Sequence, residues 1–289
     1  LGKILGCSFI RLSTTFNQTP IAGLVAQKYN YNKAFAVAAG GLIIALFNIF
    51  VCLRTSLKGV GTKIIKDKLV SIVWENKDKY NFIVYLLLCI SNILWNVFYA
   101  LPYGLLTLYA DHNINRQILG LTIPSTWYYG AYGIFIILLS PLVALGYNFI
   151  EKTFKLNFTL SYKLSIGYLL VALGSYILLP LIAAITINSN FLGSSWYLIL
   201  FYLLFAFSEL LTVPVLLSAA NKFSMPNYKA SFIAMNMFIS WGIGAWLGGE
   251  FGALTQKYNP LLMFKIIIAL CLLFSFLHLF TNKYVEKYF

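Results

Sequence analysis

The chain has 289 residues, 60% of them hydrophobic and only 10% charged, and its mean hydropathy is +0.81. A soluble domain of that size cannot hide so much apolar surface, so the composition excludes a water-soluble enzyme or binding module and predicts an all-α polytopic membrane protein. The formal charge of +13 does not mark a nucleic-acid binder, because the basic residues sit in loops between apolar stretches.

In chain order, residues up to about 26 hold an apolar stretch interrupted by Arg11 and Pro20, read as an incomplete span. The chain starts at Leu1 without a methionine or a cleavable signal pattern, so it is expected to begin inside a longer protein. Seven full spans follow, at residues 34–53, 82–110, 127–147, 164–187, 196–218, 231–254 and 261–281. Each reaches the roughly 20 apolar residues that cross a bilayer. The alternate loops 54–81, 148–163, 219–230 and the tail after 281 carry fourteen Lys and Arg, against four in the intervening set. Basic residues favour the cytoplasm, which predicts a multi-pass protein of the cytoplasmic membrane with its C-terminus inside.

The long loop 54–81 contains KIIKDKLVSIVW at 63–74. It groups Ile65, Leu69, Ile72 and Val73 near one helical face, the pattern of a helix lying on a membrane surface or of a partly helical linker. Cys7, Cys52, Cys89 and Cys271 lie in apolar stretches without paired spacing, and His112 and His278 stand alone, so no disulfide framework and no metal or other cofactor is expected. Gly244, Gly248 and Gly252 recur every four residues, a spacing that lets a neighbouring helix approach closely. Glu250, nearby, reads as a residue reaching the headgroups.

Glu209 stands apart. It falls near the middle of WYLILFYLLFAFSELLTVPVLLS, a span with no other charge. A charge there costs roughly 2.5–3.5 kcal/mol, so an intramembrane acid marks a functional site unless it merely packs between helices. Pro214, five residues on, has no amide to give the Leu210 carbonyl, which predicts a weakened or kinked helix just past the acid.

Two blocks carry a family likeness: LTLYADHNINRQILGLTIPSTWYYGAYGIFIILLSPLVAL at 106–145 and SELLTVPVLLSAANKF at 208–223. They resemble the seventh-to-eighth helix passage and the tenth helix of the proton-dependent oligopeptide transporters of the major facilitator superfamily. PIAGLVAQKYNYNKAFAVAAGGL at 20–42 is similar, more weakly, to the end of helix five and the start of helix six. The resemblance implies helices 5/6 to 12 of a twelve-helix transporter, with residues 1–53 ending the N-terminal half, 54–81 linking the halves and 82–289 forming the C-terminal half. It also implies that most of the N-terminal half, a partner in transport, lies outside these residues, so that the chain alone moves little substrate.

On the same resemblance Glu209 binds the peptide's amino terminus, Trp95 is the tryptophan of the seventh helix, and Asn236 or Met237 falls where the family carries an aromatic on helix eleven. Tyr99 and Ala100 stand at the seventh-helix acid and glutamine positions, Tyr129 and Tyr132 at the eighth-helix Gln and Asn positions, and Val213 at the serine before the proline. The helix-five signature is reduced to SFIRLSTT at 8–15. The reading is a symporter for di- and tripeptides by alternating access, with protons as coupling ion and the bilayer as surroundings. Glu209, Trp95, Tyr99, Tyr132 and Asn236 are its substrate-binding candidates. The alternatives are a transporter of another amine-bearing solute, such as an amino acid, or a seven-helix receptor, structural membrane protein or remnant that transports nothing. No His/Asp/Glu cluster or activated nucleophile points to an enzyme.

Overall fold

A segment that crosses lipid must satisfy its backbone N–H and C=O groups within itself, and a helix does so. The computed structural model describes residues 21–55, 76–118, 120–154, 159–224 and 229–288. Seven helical segments among them are long and apolar enough to cross a membrane, in the places read from the sequence. The chain divides into two units, Leu1–Trp74 and Glu75–Phe289. The interrupted stretch before residue 21 and the surface-helix pattern at 63–74 lie outside the described residues.

In the first unit a short helical stretch, residues 21–28, precedes α1 (Tyr31–Arg54). Asn30 caps α1 by accepting the Lys33 amide at 2.9 Å, a contact worth about 1 kcal/mol. Phe35, Leu42, Ile43, Leu46 and Phe47 are all exposed, as suits a helix set in hydrocarbon.

The second unit contains α2 (Asn76–Tyr103), α3 (Leu105–His112), α4 (Thr126–Phe154), α5 (Leu160–Ile187), α6 (Trp196–Lys222), α7 (Lys229–Lys257) and α8 (Pro260–Tyr288). The span read as continuous over 82–110 is broken: α2 stops at Tyr103 and α3 restarts at Leu105, with Gly104 between them at φ −96° and ψ −89°. Pro102, which cannot donate to the Phe98 carbonyl, is the local cause. By contrast α6 runs on through Pro214 without a break.

α5 packs between α6 and α8, α2 packs along α7, and α4 packs on α6. Two contacts explain how the backbones come so close. A side chain at Gly167 of α5 would collide with Thr212 of α6, whose neighbour Ser208 donates its hydroxyl to the Gly167 carbonyl at 2.5 Å. On α7, a methyl at Gly244 would meet Asn96 Cβ at 2.5 Å and one at Gly248 would collide with Ala100. Gly252 has nothing within 4 Å, so the close approach uses two of the three spaced glycines.

The loops sort to two ends. Strand β1 (Ile114–Asn115) pairs in parallel with β4 (Gly193–Ser194), while β2 (Gln117–Ile118) and β3 (Leu121–Thr122) form a hairpin turned by Gly120 at φ 78°. Asn113 Nδ2 donates to the Ser189 carbonyl at 2.8 Å, so the loops after α3 and after α5 form one end. At the other end Thr159 donates to Asn282 at 2.6 Å, joining the start of α5 to the last part of α8. Towards that end Tyr85 of α2 donates to the Phe232 carbonyl of α7 at 2.7 Å.

Candidate functional site

Aromatic side chains of α2, α4 and α6 meet around Phe205. Its ring stacks on Trp95 with centroids 5.3 Å apart and 9° between planes, and lies 5.7 Å from Tyr132 and 6.1 Å from Tyr99. Tyr132 stacks on Tyr129 at 5.5 Å, and the Tyr99 and Tyr129 hydroxyls are 3.4 Å apart. Three of the candidates, Trp95, Tyr99 and Tyr132, therefore converge on one residue that the sequence reading did not single out. Phe205 lies four residues before Glu209, so the two share one face of α6 a turn apart.

Glu209 is buried, 7% exposed, in the middle of α6. An ionised carboxylate in such surroundings is costly unless a cation or hydrogen bonds compensate it, and nearby aromatic faces add attraction for a cation. The rings differ in what they can reach. Trp95, 1% exposed, and Tyr132 are packed inside the bundle, and the Tyr132 hydroxyl is buried without a hydrogen bond. Tyr99 and Tyr129 are half-buried at the edge of the cluster.

Trp241 closes that edge. It lies on α7, 45% exposed, with its ring 5.7 Å from Tyr99. The resemblance set the helix-eleven aromatic at Asn236 or Met237; Trp241, whose ring meets Tyr99, is about one turn further on. The available signal was a tryptophan in a span four or five residues from the expected position.

Asn236 sits elsewhere. It is 1% exposed, accepts from Asn92 Nδ2 at 2.6 Å and donates to Cys89 Sγ at 3.1 Å. Asn92 also donates to Ser240 Oγ at 3.0 Å, and Asn96 donates to the Asn92 carbonyl at 2.8 Å. These side chains form a buried ladder between α2 and α7, beside the glycine contacts. The structure thus brings Trp95, Tyr99 and Tyr132 together, places Glu209 one turn from their hub, and puts Asn236 in the α2–α7 seam. Among the described residues no three His, Cys, Asp or Glu side chains come together as metal ligands would.

Comparison with known proteins agrees with this architecture. The family model described as PTR2, the POT family, matches residues 55–267. The dipeptide and tripeptide permease B of Xenorhabdus bovienii is 22% identical over 293 residues, covering 85% of this chain and 59% of the permease. Permease B of Photorhabdus luminescens is 24% identical, covering 79% and 48%. Permease A of Proteus mirabilis is 27% identical, covering 80% and 55%. The chain therefore spans about half to three-fifths of the length of these relatives. Among solved structures, peptide transporter POT in complex with sulfate superposes with a TM-score of 0.76 at 17% identity, covering 93% of this chain and 64% of the transporter. A POT family transporter in complex with 5-aminolevulinic acid superposes at 0.62 and 16% identity, covering 89% and 55%.

Proposed function

We infer, because this chain belongs to the POT family, that it forms part of a membrane transporter for di- and tripeptides. Protons serve as the coupling ion. The observation that carries this reading is Glu209, a buried carboxylate in an otherwise uncharged span, one turn from the hub of an aromatic cluster. The peptide's ammonium group pairs with Glu209, and the half-exposed rings at the edge, Tyr99 and Trp241, take up apolar parts of the substrate. Trp95 and Tyr132 act from behind by holding Phe205 and Tyr129 in place. Asn236 acts through the spacing of α2 and α7.

Transport by alternating access needs two halves that rock about a central site, and the partner half supplies the opposite wall. The fourteen-to-four bias of basic residues supports a cytoplasmic position for the end that carries residues 159 and 282, with the C-terminus inside. The protein then lies in the cytoplasmic membrane, surrounded by lipid.

The reading is tested with Glu209→Gln in the whole protein, which keeps the shape and removes the charge. Affinity for a free-amine dipeptide is expected to fall about ten- to a hundredfold, as loss of a charge-assisted contact implies, while an N-acetylated peptide loses little. Equal affinity of both proteins for the free-amine dipeptide removes the main support. A second reading, transport of a smaller amine-bearing solute, is favoured by the tyrosines at 99, 129 and 132, which fill space where the family carries polar side chains. Uptake competed by single amino acids but not by dipeptides selects it.

A further inference from the structure

The break at Gly104 leaves one carbonyl in a special position. In an unbroken helix the Pro102 carbonyl takes the amide of Leu106. Here it accepts two side-chain hydroxyls, Tyr202 of α6 at 2.7 Å and Thr107 of α3 at 3.2 Å. On either side of it the chain keeps helical bonds, from Gly104 N to Ala100 O and from Leu108 N to Gly104 O, both at 3.3 Å. Tyr202 therefore bridges the break from another helix.

Tyr202 is 1% exposed, and its ring lies 6.4 Å from both Tyr129 and Tyr132 and 5.6 Å from Phe201. It precedes Glu209 by seven residues, two turns along the same face of α6. Beyond the break, α3 leads directly into β1, whose pairing with β4 ties the loops at that end. One side chain thus touches the aromatic cluster with its ring and the broken crossing with its hydroxyl.

We propose that Tyr202 is a positioning residue for transport: its hydroxyl holds the break at Gly104, and its ring ties that break to the cluster one turn from Glu209. A solute that shifts the rings of Tyr129 or Tyr132 shifts Tyr202, and with it the hold on α3 and the loop end that α3 carries. The coupling is mechanical and needs no charge on Tyr202.

Tyr202→Phe keeps the ring and deletes the hydroxyl. In the purified whole protein, the amides of residues 104–108 are expected to exchange hydrogen about three- to tenfold faster, while those of α5 and α8 are unchanged. In proteoliposomes the maximal uptake rate of a dipeptide is expected to change about threefold or more, with the half-saturating concentration moving less than about twofold. Thr107→Val, which removes the longer contact, is expected to act on the same amides by a smaller factor. Unchanged exchange at 104–108 in Tyr202→Phe, or a uniform rise along all of α6, overturns the proposal, as does a change in half-saturation without a change in rate. If the wild-type protein takes up no peptide, the transport reading falls, while the exchange pattern still decides whether Tyr202 holds the break.

Discussion

The indole of Trp95 lies flat against the ring of Phe205, 5.3 Å between centroids and 9° from parallel, and joins α2 to α6 at the level where Glu209 follows one turn later. Tyr168 of α5 meets the same indole edge-on at 6.2 Å, so three helices share this contact. Replacing Trp95 with Ala is expected to cost about 3–5 kcal/mol, because a buried indole leaves a cavity its neighbours cannot fill. Trp95→Phe, which restores an aromatic face, should recover most of that loss. Thermal unfolding of the purified protein in detergent measures both, and an unchanged midpoint for Trp95→Ala would show that the stack bears no weight.

The glycines of α7 provide an internal control. Gly248→Ala sets a methyl group against Ala100 and within 2.9 Å of the Val97 carbonyl, forcing α2 and α7 apart at a cost of about 1–3 kcal/mol. Gly252→Ala meets nothing within 4 Å and should change stability by about 0.5 kcal/mol or less. Comparing the two unfolding midpoints checks the seam directly; equal effects contradict the packing.

Asn92 and Asn236 are expected to behave as a pair. Asn236→Leu leaves the buried Asn92 amide short of its 2.6 Å acceptor and should destabilise by about 1–3 kcal/mol. The double substitution with Asn92→Leu should cost less than the two single losses together, because both ends of the contact then disappear. A double-mutant cycle on unfolding free energies reads the coupling. Strict additivity would place the two asparagines in separate environments.

Orientation is tested with single cysteines in a background free of the native ones. A cysteine at Asn190, in the loop tied to Asn113, is expected to react with an impermeant thiol reagent added outside intact cells. One at Lys222, at the end of α6, is expected to react only after the membrane is opened. The reverse pattern would invert the topology.

Much of this protein is decided by properties that run along the chain. The seven candidate membrane spans among the described residues, and the place of Glu209 as the one charged residue of 196–218, follow from hydropathy and charge order, because a bilayer selects on stretches of about 20 residues whatever their neighbours. Even the glycine spacing on α7 was legible, since close helix approach needs small residues at that period. What the chain order could not decide is how each helix is rotated and which partner it meets. Phe205 looked like one apolar residue among many until its neighbours on α2 and α4 were brought to it. Asn236, a substrate-site candidate by resemblance, is hydrogen-bonded in the α2–α7 seam, and Trp241 lies at the edge beside Tyr99. The break at Gly104 likewise involves a remote residue: Pro102 weakens the helix locally, and Tyr202, a hundred residues later, donates to the Pro102 carbonyl inside the bundle.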